Sequence, residues 1–389
     1  MGIIWEPELS ADSARYKALA EQLTRDHFEP LVEELDRVQR YPYENVEKLH
    51  NAGITRMFLP KQFGGADAKL TDATVVVEAV AKGCPSTAAI ITTYQLGAYI
   101  IQCAGTPAQQ EQVLTNGISK GECASFCLSE MNAGSDPAGM ETTAVREGDG
   151  WRIKGEKFWV GGGKASTNFV VFAKTDPAAG SRGITGFLMK KDTPGVVVDF
   201  IADKMGQRGS YTTNLKVDCW VPNDAIVGGL NEGLKLALIG LNLGRITISG
   251  HALGMAIAAF EEAASRACSR TTFGKPIIDH QSIGFRLADM AARINSARMM
   301  VYHAAKQFDA GADVGEISAL AAQSKILATE ATQFVCNEAV QIWGSMGYIK
   351  PTKVERLYRD QRINQLYEGS SEIQRLVLTR VIKKEFTKA

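Results

Sequence analysis

An α+β fold with segregated layers is predicted: an all-α N-terminal unit, a middle antiparallel, barrel-like β unit and a C-terminal helical unit. Three observations predict it. Apolar residues recur at helical spacing up to Lys120, short alternating runs separated by turn signals fill Glu122 to Gly229, and helical spacing returns over longer segments from Leu234 onward. The expected units are residues 1–121, 122–229 and 230–389.

In the first unit the helical spacing shows in Leu31, Leu35 and Val38 and again in Val46 and Leu49, with Pro60 and Gly64-Gly65 as interruptions. Ala88 to Ala104 is a long apolar stretch, but Thr92, Thr93, Tyr94 and Gln95 lie inside it, so it reads as a buried helix rather than a membrane span. In the middle unit Asn168 to Thr175 is a buried-strand candidate. Leu215, Val217, Cys219 and Val221 alternate with Lys216, Asp218 and Trp220, the period of a half-buried strand. Gly148-Asp149-Gly150 is a hairpin signal. In the last unit Ile317, Leu320, Ile326, Leu327, Phe334, Val335, Ala339 and Ile342 share one broad face of a helix ending near Gly344. There is no internal repeat.

The chain has 389 residues, 45% hydrophobic and 22% charged, which suits a globular enzyme of more than one unit. Lys+Arg and Asp+Glu are 43 each, so net charge gives no reason to expect nucleic acid or an anionic membrane as partner. The seven cysteines lack CxxC spacing and read as buried thiols of a reducing compartment, neither a disulfide frame nor a metal site. Glu6, Glu8 and Asp12 replace a basic-then-apolar leader pattern, and a cytoplasmic location is expected.

There is no GxGxxG after a strand, no GxxxxGK[ST] and no HExxH. Gly161-Gly162-Gly163-Lys164 is read as a hairpin turn rather than a phosphate loop. Four constellations are left. Cys127 to Asp136 joins small residues and two hydroxyls, Ser129 and Ser135, and suits a close-fitting ligand or an ordinary surface loop. Gly155 to Gly161 is a strand ending near Trp159, which would stack on a flat ring or fill a core. Arg270 to Pro276, followed by His280-Gln281, suits a pyrophosphate or a solvated helix end. Finally Tyr367-Glu368-Gly369-Ser370 precedes Ser371 and Gln374, which read as a capping box opening a helix. Glu368 lies on the loop into that helix, beside a glycine that lets a ligand approach, as a candidate base or a surface carboxylate.

Taken in order, these segments resemble the acyl-CoA dehydrogenase family over nearly the whole chain: SEMNAGSD (129–136), GEKFWVGG (155–162), DKMGQRGS (203–210), RTTFGKPIIDHQ (270–281), QIWGSMGY (341–348) and RLYRDQRINQLYEGSSEIQR (356–375). The resemblance implies the family fold, with the last unit a four-helix bundle, and FAD lying between the β unit and the C-terminal helices. It implies that Phe126, Leu128, Ser129, Trp159, Val160 and Gly161 meet the flavin, and that Ser370 and Glu372 touch the FAD of their own subunit. Arg270, Thr272, Phe273, His280, Gln281, Gln341, Ile342, Gly344 and Ser345 match positions that reach the cofactor of a neighbouring subunit. A homodimer, and by family habit a homotetramer, is expected.

Glu368 matches the family's catalytic base in its YEG[TS] motif. Some members carry the base on the helix of Leu241 to Arg245; this chain has Gly244 there. Ser135, Asn242, Arg245, Tyr367 and Gly369 match substrate-side positions, Ser135 also lying near the cofactor. The implied reaction is removal of the α-proton of an acyl-CoA by Glu368 with β-hydride transfer to flavin N5. The product is a trans-2-enoyl-CoA, and electron-transfer flavoprotein is the implied acceptor. The polar run Thr92 to Gln95 on the acyl-pocket segment implies a short, branched, cyclic or polar acyl chain. Three departures stand out: Gly161 where the family has Thr or Ser, Met131 in place of proline, and Trp343 with Ser345 in the QIxGGxGY pattern. They leave open an enoyl-CoA reductase, an oxidase- or desulfinase-like enzyme, a flavin monooxygenase, or neutral repacking.

Overall fold

The computed structural model describes residues 2–387. The helical N-terminal part holds α1 (Ala11–Leu23), α2 (Val32–Val38), α3 (Tyr43–Asn51), α4 (Leu70–Gly83), α5 (Pro85–Ala104) and the short α6 (Pro107–Gln110). Ser10 caps α1 through the Ser13 N–H, and the N-terminus of α4 is capped from afar, Asp309 accepting from the Leu70 and Thr71 N–H groups. α4 is apolar on nearly every side and buried almost throughout. α5 begins with proline in its first turn, where a missing N–H costs nothing.

The middle part is one sheet of β1 (Cys123–Cys127), β2 (Thr143–Glu147), β3 (Gly150–Gly161), β4 (Ser166–Lys174), β5 (Ile184–Lys190), β6 (Val196–Ile201), β7 (Thr212–Pro222) and β8 (Ile226–Val227). The pairing order is β6-β7-β3-β2-β4-β5-β8, with β1 added alongside β4. β7 alternates buried and exposed as its sequence implies, and the β2–β3 hairpin turns at Gly148. The expectation of a purely antiparallel sheet is corrected at β4, which β2 meets in parallel through Thr143 and Lys174 and which β1 joins over its whole length. Strand β1 arrives from the helical part and runs parallel to β4, with the β2–β3 hairpin inside the crossover that parallel pairing requires. Gly161 to Lys164 is a turn but not a hairpin turn, since β3 pairs with β7 and β4 with β1 and β5.

The C-terminal part contains α7 (Gly233–Ser269), the small hairpin β9 (Thr271–Thr272) and β10 (Lys275–Pro276), α8 (Gln281–Asp309), α9 (Val314–Trp343), α10 (Lys353–Gln361) and α11 (Ser371–Phe386). α7 is long and apolar enough to cross a bilayer, yet its apolar window is wholly buried, packed by α4, α5, α8 and α9. Leu253, Ala297 and Val301 share a buried cluster with Ala328. The cysteine expectation holds for five thiols; Cys103 and Cys268 are exposed.

Candidate active site

Glu368 stands on the link between the 3-10 turn Arg362–Gln365 and α11, in the left-handed region (φ 56°), followed by Gly369 at φ 87°. A non-glycine residue persists there only where its surroundings over-determine it. Three side chains from three elements do so by holding two successive carbonyls. Arg245 Nε of α7 donates to the Glu368 carbonyl at 3.2 Å, and Lys325 Nζ of α9 donates to that of Gly369 at 2.7 Å. Gln374 Nε2 of α11 reaches both, at 3.2 and 2.8 Å. This corrects the capping box: the cap of α11 is Ser370, whose hydroxyl accepts from Ile373 N–H, and Gln374 turns back to the loop because unpaired carbonyls await it there.

The Glu368 side chain lies over α7 at Gly244, where a Cβ would come within 2.9 Å of Oε2 and 3.1 Å of the carboxyl carbon. Oε2 is shielded from solvent and has no hydrogen-bond partner, and the Glu368 N–H has no acceptor among the described residues. Burial pushes the carboxyl up to about 7, against the opposing pull of the Arg245 and Lys325 cations. Lys325 is itself driven down to about 8 by burial. Asn242 Oδ1 fixes the Arg245 guanidinium at 3.1 Å. Tyr367 is anchored away from the carboxylate, its hydroxyl donating to Asn364 Oδ1 at 2.7 Å.

Lys325 was not among the sequence-predicted residues. Its signal was present: a lysine at helical spacing on the apolar face of α9, between Ala321 and Ala328, 0% exposed. A charged residue on a core stripe needs partners, and here they are the Gly369 carbonyl and the nearby Glu368 carboxylate.

A second group forms beside the sheet. Phe126 on β1, Leu128 and Ser129 lie against the end of β3: the Ser129 carbonyl accepts from Phe158 N–H at 2.9 Å, and Ser125 Oγ donates to the Gly161 carbonyl at 2.7 Å. A register shift between Lys157 and Val160 bulges β3, leaving Trp159 at φ 61° and 58% exposed. A tryptophan held strained and facing outward suits a stacking role better than a core one. Below it, Lys157 Nζ joins Leu128 carbonyl (3.1 Å) and Glu130 Oε1 (2.7 Å), and Glu130 also accepts from Glu141 and Thr142 N–H. Burial alone would raise Glu130; the ammonium and the backbone donors outweigh it and hold it below its ordinary value. Ser135 is exposed on the loop that Glu130 closes.

Helix α5 packs on the elements that carry both groups. Its Leu96 and Ile100 touch α7 at Gly240, and its Thr93 touches Gly161 and Gly162. Tyr94, by contrast, donates to the Gly121 carbonyl and faces the sheet edge. Val160 and Ile342 are core side chains and can offer a ligand only their backbone. The remaining predicted residues are elsewhere. Arg270, Phe273, Gln281, Gln341, Gly344 and Ser345 are all exposed at the far end of the bundle, around the β9–β10 hairpin, where His280 Nε2 lies 3.1 Å from Thr272 Oγ1. At 1.5 Å per residue, the 25 residues of α7 between Arg245 and Arg270 put that end about 37 Å from Glu368. Glu372, exposed in the first turn of α11, completes the set.

The residues present fit FAD. Glu368 offers a shielded, partnerless carboxylate oxygen, Trp159 faces outward and Ser135 is exposed on the neighbouring loop, while Arg270, Phe273, Gln281 and Gln341 are exposed at the far end of the bundle. The comparisons agree. Residues 10–121, 125–219 and 231–383 match the models of the acyl-CoA dehydrogenase N-terminal, middle and C-terminal domains. The chain is 35% identical to acryloyl-CoA reductase (NADH) of Anaerotignum propionicum, covering 97% of this chain and 95% of that one. It is 38% identical to the human mitochondrial short-chain specific acyl-CoA dehydrogenase, over 90% and 84%. The solved butyryl-CoA dehydrogenase of Megasphaera elsdenii superposes with a TM-score of 0.93 at 34% identity, over 97% and 100%. The chain belongs to the acyl-CoA dehydrogenase family of FAD-dependent oxidoreductases.

Proposed function

We propose that the protein desaturates an acyl-CoA at its α,β bond, with Glu368 as the base. The observation that carries this is the Glu368 carboxylate: half-buried, its shielded Oε2 without a partner, poised near neutrality, and seated on a glycine rather than a side chain. An α-proton beside a thioester is weakly acidic, so the base must act while the developing enolate oxygen is stabilised. The unpaired Glu368 N–H is the donor this chain offers to that oxygen. Arg245, Lys325 and Gln374 keep the N–H and the carboxylate in register by fixing the loop's carbonyls. Substrate entry expels water and raises the carboxyl further, strengthening it as a base. FAD, when bound, supplies the acceptor for the β-hydride. Trp159 would flank its ring system, and Phe126, Leu128 and Ser129 would line the same edge. Ser135 faces the route of the CoA moiety. Electron-transfer flavoprotein is the proposed acceptor of the electrons.

The Arg270, Phe273, Gln281 and Gln341 group, about 37 Å from Glu368 by helix length, is proposed to complete the FAD site of a second copy. A homodimer or a dimer of dimers follows. The polar Thr92 of α5 favours a short, branched, cyclic or polar acyl chain. A second reading, reduction of an enoyl-CoA at the same site, is favoured by the likeness to an acryloyl-CoA reductase.

Anaerobic titration with saturated acyl-CoAs tests the reading: one class is expected to bleach the flavin. At subsaturating substrate the bleaching rate should climb with pH through about 7, because only ionised Glu368 takes the proton. A yellow protein bleached by no acyl-CoA, but reoxidised by an enoyl-CoA once reduced, would establish the reductive reading. Gly244→Ala tests the seat of the base. The clashing atoms are the end of a flexible side chain, so thermal stability should change little, while displacement of the carboxylate by about 1 Å should slow bleaching roughly 10- to 100-fold. Unchanged bleaching would mean that the carboxylate does not act from that position.

A further inference from the structure

The glycine that departs from the family pattern, Gly161, has a neighbour that explains it. A Cβ at Gly161 would lie 3.2 Å from Thr93 Oγ1 and 3.9 Å from its Cγ2, and a Cβ at Gly162 would lie 3.2 Å from the same Cγ2. The Thr93 side chain, from α5, therefore fills the space beside the β3–β4 turn that a side chain at position 161 would claim. A threonine at both positions would be overpacked. The turn cannot retreat, because its carbonyls are held: Ser125 Oγ donates to the Gly161 carbonyl at 2.7 Å, and Ser166 Oγ lies 3.2 Å from that of Gly162.

The Thr93 hydroxyl is also free to serve a ligand. Its one hydrogen bond runs back to the Ala89 carbonyl at 3.2 Å, a long contact to its own helix that leaves both acceptor lone pairs unused. The residue is half-buried and lies against the turn that follows Trp159, about one turn of α5 before Leu96, which meets α7 at Gly240. We propose that Thr93 replaces, from the helical domain, the hydroxyl that Gly161 lacks, so that Thr93 is a flavin-facing residue rather than part of the acyl-pocket floor. The exchange keeps one hydroxyl and one small residue at this point and changes only which strand or helix carries each. This inference rests on the flavin reading of the site.

Two measurements that need no substrate test it. In the flavin-loaded protein, Thr93→Val keeps the shape and removes the hydroxyl. It should shift the visible absorbance bands and midpoint potential of the flavin and weaken FAD binding by roughly five-fold, the effect of one hydrogen bond. In the flavin-free protein, Gly161→Thr should lower the melting temperature by several degrees, and Thr93→Ala combined with Gly161→Thr should recover most of that loss. The double variant, once loaded, should regain a spectrum close to that of the parent. A Thr93→Val protein with unchanged spectrum, potential and FAD affinity would overturn the proposal while leaving the flavin reading intact. Strictly additive melting shifts in the cycle would overturn it equally. A parent protein that takes up no FAD at all would overturn the flavin reading and the proposal together.

Discussion

Glu368→Gln is expected to leave FAD bound and to slow flavin reduction by acyl-CoA by roughly 1,000-fold or more, the scale on which general bases contribute. Glutamine keeps the size of the side chain and its place over Gly244, and the loop is held through backbone carbonyls that the substitution does not touch. What disappears is the one group able to take the proton. The neutral amide also removes a charge whose burial costs more than the Arg245 and Lys325 cations return, so the variant should be no less stable than its parent at neutral pH and should lose the pH-dependent limb near 7. Rapid-mixing absorbance reads the rate; flavin content after gel filtration reads the occupancy. Comparable bleaching by the variant would assign the base elsewhere. Colourless variant protein would instead make Glu368 a structural member of the cofactor site.

Lys157→Met should have the largest effect on stability. Lys157 is 0% exposed and its ammonium is shared between the Leu128 carbonyl and Glu130. Removing it strands a nearly buried carboxylate, which typically costs about 3–5 kcal/mol. The consequence should reach past stability, because the pair ties the flavin-side strand β3 to the loop of Leu128 and Ser129. A chemical-denaturation curve should show the loss in midpoint with little change in slope. FAD should dissociate more readily in proportion. Pairing Lys157→Met with Glu130→Leu should recover part of the stability, since an apolar pair of like volume removes the stranded charge. Full stability in the single variant would mean that Glu130 finds adequate donors in the Glu141 and Thr142 N–H groups alone.

Sequence periodicity carried the helices and strands well because the period of each element is a local property. β7 alternates as read, and α9 runs from Val314 to Trp343, ending where Gly344 stops it. The parallel docking of β1 on β4 was not legible, since nothing in five residues of strand records the direction of a partner 40 positions away. The same holds for the site. Glu368, Gly369 and Gly244 could be located by motif, but their contact is tertiary. A lysine on a core face signals that Lys325 needs partners without saying which, and Gln374 was hidden because a glutamine in a first turn has an ordinary capping explanation. Likewise Gly161 could be seen as a missing hydroxyl, while the threonine beside it lies 68 residues earlier on another domain.

The continuity of α7 has one further implication. Gly244 and Arg270 belong to a single 37-residue helix with its connecting cap, so the two ends share a rotational phase. One inserted residue between them would turn one end by about 100° against the other and lengthen the span by about 1.5 Å. Loops elsewhere in the chain can drift in length at little thermodynamic cost. This helix cannot: it acts as a fixed-length axle, and the spacing of the two ends is inherited as a whole or lost as a whole.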